Sequence, residues 1–220
     1  LEYLLDAINN EITVTIDSLE YAKEVVKLDL FDLLKVHLAV DSGMRRLGFT
    51  TSKDFKEAYH LLKENPHVLI EGVFSHFATS GIMDPYWDKQ VDSFLEITKD
   101  ISLEEIPIVH FGRSLTLVNH EKLPFCNGIR LGIILYGFAQ NMPDGHSLKS
   151  KFRVMKRKFL QKKYHCSETR LTNSLQLKTA MELYSTVMSV RKVHIGDVVG
   201  YTTYKVKEEG YILTLPIGYA

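Results

Sequence analysis

The sequence predicts an α/β protein whose strands form a parallel sheet. From 1 to 139, short apolar and β-branched runs alternate with segments that have apolar residues at helical spacing. Asp41, His76, Ser114 and Gly132 follow predicted strands, at the strand ends where α/β enzymes bind ligands. The periodicity fits an incomplete (β/α)8 barrel and a doubly wound sheet equally well, so on this ground both architectures stay open.

Each element is predicted from its own local pattern. Ser18 is a suitable helix N-cap, and Phe55, Ala58 and Leu62 share one face of a later helix. Strands are expected where apolar residues run together between turn residues. The expected strands cover 12–16, 36–40, 68–77, 106–111 and 129–136, and the expected helices cover 1–9, the segment after 18, 52–64, 86–100 and a short piece near 114–120.

Three regions are predicted along the chain. Residues 1–139 form the α/β part, 140–178 form a basic insertion or linker, and 179–220 begin a β-rich domain with strands at 182–193 and 210–215. Within the linker, 149–163 holds eight basic residues and no acidic one. A solvated insertion is the favoured interpretation, and the alternative is a basic amphipathic helix for phosphate or an acidic partner.

Composition narrows the classes of function. Lys plus Arg and Asp plus Glu both number 27, so the charge gives no argument for nucleic acid or a membrane surface as partner. Cys126 and Cys166 are too few for a disulfide framework and lack the spacing of metal ligands. No apolar run reaches the roughly 18 residues that a membrane span needs. We therefore expect a cytoplasmic protein without a metal site.

Six ordered segments combine short apolar runs with glycine, arginine, histidine or tyrosine. They are 36–49 (VHLAVDSGMRRLGF), 71–79 (EGVFSHFAT), 109–114 (VHFGRS), 129–137 (IRLGIILYG), 199–204 (VGYTTY) and 215–220 (LPIGYA). In this order they resemble the motifs of alanine racemases, enzymes that use pyridoxal 5'-phosphate (PLP). The resemblance implies the last five strands of a (β/α)8 barrel followed by the start of an all-β domain.

The resemblance also implies a function, the racemisation of L-alanine to D-alanine for peptidoglycan. Ser114 and the Gly132–Ile133 turn match the family's phosphate site, a role that a hydroxyl and backbone N–H groups can fill. Arg130 matches the arginine that faces the pyridine nitrogen, and Arg46 matches the arginine near the cofactor's phenolic oxygen and the substrate. The implied cofactor-binding residues are Arg46, His76, Ser114, Arg130, Gly132 and Ile133.

The implied catalytic bases lie partly outside this chain. Tyr201 matches the base for one face of the substrate, offered to the partner's site in a homodimer, and Tyr219 matches a substrate-side tyrosine. The other base is a lysine on the family's first barrel strand, which also binds the cofactor covalently and has no counterpart here. The chain thus looks like an internal fragment that is inactive alone. Ala39 stands where many members have a lysine that braces the Arg46 equivalent, and Arg113 replaces the family's asparagine.

Two other functions stay open on the sequence. One is a racemase for serine or another small amino acid, because the motifs do not encode the size of the substrate. The other belongs to a different class, a non-catalytic truncated product that binds PLP or phosphate compounds without turnover.

Overall fold

Five parallel strands follow one another across a single sheet in the computed structural model. Each strand pairs with the next strand in the sequence, from the first to the fifth. This sequential order is typical of a barrel, because a doubly wound sheet reverses its strand order at a switch point. The strands are β1 (Val14–Ile16), β2 (Leu34–Ala39), β3 (Val68–Ser75), β4 (Ile108–Arg113) and β5 (Gly128–Arg130).

The structure describes residues 3–79, 84–114, 116, 120–138, 151–152, 155–156, 158–159, 162, 177–201 and 203–218. Most of the predicted helix near 114–120, most of the predicted linker at 140–178 and the substrate-side Tyr219 lie outside these ranges. Contacts between Cα atoms divide the chain into two compact units, Leu1–Lys178 and Thr179–Ala220. The architecture is a partial α/β barrel followed by the start of a β domain, as predicted.

The helices alternate with the strands of the first unit. Ser18, Thr51 and Asp84 cap three of them, each through a side-chain oxygen that accepts a backbone N–H from the first turn. None of the helices in the described ranges has both the length and the apolar character needed to cross a membrane. The helices are α1 (Leu4–Asn9), α2 (Leu19–Val26), α3 (Ser52–Glu64) and α4 (Pro85–Thr98).

The apolar core lies between the sheet and these helices. Successive strand residues point to opposite faces, so Leu34, Val36 and Leu38 of β2 project together and are fully buried. Phe55 of α3 and Phe94 of α4 are buried in the same cluster. The helix-facing side of the sheet therefore supplies the stability, and its opposite side is free to carry polar residues.

The predicted strand 129–136 is wrong in its second half. The strand β5 ends at Arg130, and a 3₁₀ turn at Ile133–Tyr136 follows. The backbone N–H of Leu135 donates to the carbonyl of Gly132 at 2.9 Å, which closes a turn instead of a ladder. A mostly apolar run has no periodicity that distinguishes a strand from a turn. Here the 3₁₀ turn begins directly after Gly132.

The second unit contains two antiparallel pairs of strands. The first pairs β6 (Ser189–Val193) with β9 (Gly210–Thr214), and the second pairs β7 (Val198–Val199) with β8 (Tyr204–Lys205). The strand expected at 182–193 is therefore too long, because residues 177–188 have no regular structure. In this small unit the side chains at 182–188 are exposed, so their apolar character does not mark burial in a sheet.

Candidate functional site

The carboxyl ends of β2 to β5 bring together most of the residues that the motifs single out. Asp41 follows β2, His76 follows β3, Ser114 follows β4, and Arg130 is the last residue of β5. Parallel strands end at one edge of their sheet, so these residues meet although the sequence separates them widely. These residues therefore lie at the carboxyl edge of the sheet, where the sequence predicts them.

A tight turn after β2 presents Arg46. The carboxylate Oδ1 of Asp41 accepts hydrogen bonds from the backbone N–H groups of Gly43 and Arg45, both at 2.9 Å. At Gly48 the backbone has φ +116°, and a Cβ atom there would lie 2.7 Å from the backbone nitrogen of Asp41. Only glycine fits this position. The chain then returns along β2, where the N–H of Phe49 donates at 2.8 Å to a β2 carbonyl.

Arg130 lies half-buried on the polar side of the sheet. Its guanidinium lies 4.2 Å from the ring centroid of Phe74, and its Nη1 donates to the carbonyl of Ser75 at 3.4 Å. Burial lowers the pKa of Arg130, and the charge of Arg46 acts in the same direction. No ion pair among the described residues includes an arginine. A half-buried cation without a carboxylate partner favours an anionic or lone-pair ligand.

Arg113 joins this group through an irregularity in β4. The register between β4 and β5 shifts after His110, and Arg113 then pairs with Arg130. At Gly112 a Cβ atom would face the side chain of Ile129, which leaves Arg113 on the side of Arg130. Arg113 stands where the resembled motif has an asparagine, so it adds a positive charge at this end of the sheet.

His76 lies among these arginines and is held neutral. Burial is the largest cause that lowers the pKa of its imidazole, and Arg130, Arg46 and Arg113 each lower it further. Its Nδ1 is buried and has no hydrogen-bond partner. The described residues show no hydrogen bond between His76 and Arg130, whose Nη1 donates to the Ser75 carbonyl. The Nδ1 of His76 therefore lacks, among the described residues, the partner that a buried polar atom usually has.

A hydroxyl and a backbone N–H meet at the ends of β4 and β5. The N–H of Gly132 donates to Ser114 Oγ at 2.9 Å, and Ser114 is buried. Among the described residues, a Cβ at position 132 would have a single neighbour within 4 Å, Ser114 Oγ at 3.8 Å. Ile133 begins the 3₁₀ turn and is 60% exposed. Because Ser114 Oγ accepts from Gly132, its own hydrogen can donate to a phosphate oxygen beside this turn.

A layer of polar residues beneath the arginines was not predicted from the sequence. His37 Nδ1 and His110 Nε2 are 2.9 Å apart and share a hydrogen bond. The other nitrogen of His37 lies 3.3 Å from the Glu71 carboxylate, which accepts from Thr13 Oγ1 at 2.8 Å. At Gly72 a Cβ atom would lie only 2.7 Å from the His37 ring. Gly72 was the sequence signal for this layer, because a glycine inside a strand often marks a close approach of another group.

The two tyrosines of the motifs are outside this cluster. Tyr201 belongs to the second unit and is fully exposed. Tyr219 lies outside the described residues. Their predicted roles as a base and as a substrate-side residue stay predictions.

The sheet and its edge define a class of protein before any comparison is made: an α/β-barrel protein with a cluster of arginines at the carboxyl ends of its strands. The family model described as "Alanine racemase, N-terminal domain" matches residues 1–140. The chain therefore belongs to the alanine racemase family.

Individual relatives agree with the family model. The alanine racemase of Limosilactobacillus fermentum is 34% identical over 226 residues, which cover all of this chain and 53% of the relative. The crystal structure of alanine racemase from E. faecalis superimposes with a TM-score of 0.70 at 30% identity, covering 99% of this chain and 53% of that one. A histidine racemase from Leuconostoc mesenteroides, at 24% identity and a TM-score of 0.64 over 98% and 52%, shares the fold. The chain spans about half the length of the curated relatives it matches.

Proposed function

We propose that this chain is the cofactor-binding part of a PLP-dependent alanine racemase, and that the full-length protein interconverts L- and D-alanine. One observation carries the proposal: Arg46, Arg113 and Arg130 surround the neutral His76, and no described carboxylate pairs with them. Such a cluster at the carboxyl ends of parallel strands suits a ligand that has both a phosphate and a carboxylate. Family membership supports the choice of reaction.

The described residues fit PLP at its two polar ends. Ser114 Oγ accepts from the N–H of Gly132 and keeps its own hydrogen, so its hydroxyl would donate to the phosphate, together with the N–H of Ile133. Arg130 would hold the ring nitrogen. When bound, PLP accepts the electron pair that is left when the α-proton of an amino acid is removed.

Arg130 stays positively charged despite its lowered pKa, because an arginine does not release its proton near neutral pH. It would therefore donate a hydrogen bond to a ring nitrogen without transferring a proton to it. A carboxylate in this position would instead favour a protonated ring. Neutral His76 adds no positive charge to the three arginines, and Arg46 would bind the carboxylate of the substrate.

Racemisation needs one proton carrier on each face of the substrate. We assign one face to Tyr201, offered from the partner subunit of a homodimer, because its motif matches and it is fully exposed. The second carrier would be the lysine of the family's first barrel strand, which has no counterpart in these 220 residues. Tyr219 would line the substrate side. The proposed activity thus belongs to the full-length protein, which we place in the cytoplasm as a source of D-alanine for peptidoglycan.

Racemisation by the full-length protein is the direct test. Purified protein supplied with PLP should convert L-alanine to D-alanine and also catalyse the reverse reaction, and alanine should be a better substrate than serine. Faster turnover of serine would change the substrate but keep the reaction. If neither amino acid is racemised by a folded protein that retains PLP, the proposal is wrong.

Tyr201→Phe tests the assignment of the two faces. Loss of α-deuterium to solvent should slow by about 10²–10⁴-fold for one enantiomer of alanine, the usual contribution of a positioned acid or base. The other enantiomer should still exchange, because its own base remains. Tyr211→Phe is the matched control, another exposed tyrosine of the same unit, and it should leave both rates unchanged. Equal and small effects of Tyr201→Phe on both enantiomers would mean that Tyr201 has a structural role.

A further inference from the structure

Gln90 is a fully buried amide in the middle of α4, beside the candidate site. Its Oε1 accepts a hydrogen bond from the backbone N–H of Ala78 at 2.9 Å. Its Nε2 lies 3.3 Å from the carbonyl of His76 and 3.4 Å from Ser42 Oγ. Burying an amide without partners is costly, and this amide has partners in the backbone at His76 and Ala78 and in the hydroxyl of Ser42.

The contact with Ser42 continues as a directed chain of hydrogen bonds. Ser75 Oγ donates to the carbonyl of Val40 at 2.7 Å, so Ser42 must donate to Ser75 across the 2.8 Å between their hydroxyl oxygens. Ser42 Oγ is then left to accept from Gln90. Every hydroxyl and amide hydrogen in this chain has one partner, and both serines are buried. A fully satisfied buried network has one preferred arrangement, so it fixes the backbone segments that it joins.

The joined segments are those that carry the site. The carbonyl of His76 accepts a hydrogen bond from Gln90, and Ser42 is near the start of the turn that leads to Arg46. From the same helix, the hydroxyl of Tyr86 donates to the carbonyl of Gly43 at 2.7 Å and holds the other side of this turn. The side chains of Gln90 and Tyr86 thus connect the ends of β2 and β3 to α4.

We propose that Gln90 is a positioning residue, whose buried amide sets the places of His76 and Arg46 in the site. The inference rests on the proposed function, since it takes these two residues as ligand-binding. Polar groups in an active site need to be held to within a fraction of an ångström, and an amide anchored to three backbone or hydroxyl groups provides such a constraint. Gln90 would act only through the residues that it holds.

Gln90→Met in the full-length protein is the test, because methionine has a similar volume and no donor. In cofactor-free protein we follow the His76 imidazole by NMR, and its pKa should rise by about half a unit as the ring moves from its buried place beside Arg46, Arg113 and Arg130. In PLP-loaded protein, kcat for alanine should fall by about tenfold, with a smaller change in KM.

Thr98→Val is the matched control. Thr98 is also buried in α4, and its hydroxyl donates only within the helix, to the carbonyl of Phe94 at 2.9 Å. This variant should lower the melting temperature as Gln90→Met does, while the His76 titration and kcat stay as in the unmodified protein. The proposal is overturned if Gln90→Met lowers only the melting temperature and leaves both readouts unchanged.

A second variant, Gln90→Asn, is used if Gln90→Met does not fold. Gln90→Asn keeps the polar group but shortens the side chain by one methylene, which withdraws the amide from its three partners, so the same two readouts decide. The NMR readout needs neither cofactor nor turnover. A full-length protein that racemises nothing would therefore refute the proposed function, while the His76 titration would still decide the role of Gln90.

Discussion

His110 is a histidine that its surroundings keep uncharged at neutral pH. Burial is the largest cause, His37 and Arg130 act in the same direction, and together they lower the pKa of His110 from 6.5 to about 4. The hydrogen bond between His37 and His110 also requires that at least one of the two facing nitrogens carries no proton. A cationic site with a protonated histidine beneath it would suffer strong repulsion.

The lowered pKa of His110 predicts a loss of stability in acid. Between pH 6.5 and about 4, His110 binds a proton in the unfolded chain but stays neutral in the folded protein. The free energy of unfolding therefore falls as the pH drops through this range. Partial exposure screens the effect, and we expect His110 to account for about 2 kcal/mol. Urea unfolding at pH 7.5 and 4.5 should show a smaller difference for His110→Gln than for the unmodified chain.

His60→Gln provides the control for this experiment. His60 is an exposed residue of α3, outside the site. Its replacement should leave the pH dependence as it is in the unmodified chain. If His110→Gln has the same pH dependence as the unmodified chain, the loss of stability in acid does not come from His110.

The helix α3 begins and ends where the sequence predicts. Thr51 is its N-cap, with Oγ1 accepting from the backbone N–H of Asp54 at 3.1 Å and donating to that residue's carboxylate at 2.8 Å. Pro66 follows the C-cap Asn65, which has extended backbone angles because a proline disfavours the helical region before it. Both signals are local, so they work without knowledge of the fold.

We predict that Thr51→Ala lowers the free energy of unfolding by about 1 kcal/mol, the usual cost of losing an N-cap. Urea unfolding of the 220-residue chain measures this difference. Thr50→Ala is the matched control, because Thr50 is exposed and lies just outside the helix. The same loss in both variants would mean that the cap contributes nothing of its own.

At the scale of the molecule, the candidate site is built from several elements and not from one. The ends of β3, β4 and β5 and the turn after β2 each supply part of it. Their only common feature is the sheet edge at which they end. A ligand that contacts several of them therefore stabilises the whole α/β unit, because it binds the folded arrangement and not the unfolded chain.

We predict that pyridoxine 5'-phosphate, which has the phosphate but no reactive aldehyde, raises the melting temperature of the 220-residue chain. At a concentration 100 times Kd, the expected stabilisation is about 2.7 kcal/mol. Ser114→Ala should reduce the rise by at least half at the same concentration, because the phosphate loses a donor. The exposed Ser102 gives the control Ser102→Ala, which should keep the full rise. An equal rise in melting temperature in both variants would mean that Ser114 does not bind the phosphate.

The predicted strand over 129–136 shows where local patterns fail. Most of its residues are apolar, yet the ladder ends at Arg130, and Ile133–Tyr136 form a 3₁₀ turn. Such a run does not reveal whether its neighbours will be a sheet, a core or solvent. The polar layer of His37 and His110 was missed for a related reason, since a strand histidine on its own does not indicate its partner.

The sequence by itself determined the order of the elements, the limits of α3, and the motif residues that lie at the strand ends. The elements follow from turn residues and periodicity, which act over a few positions, and the motif residues follow from the resemblance to alanine racemases. Only the tertiary structure brought Arg113 beside Arg130, through a register shift in β4, and buried Gln90 against His76 and Ser42. These residues are far apart along the chain, and their contacts depend on strand register and on the position of α4 against the sheet, which local propensity does not encode.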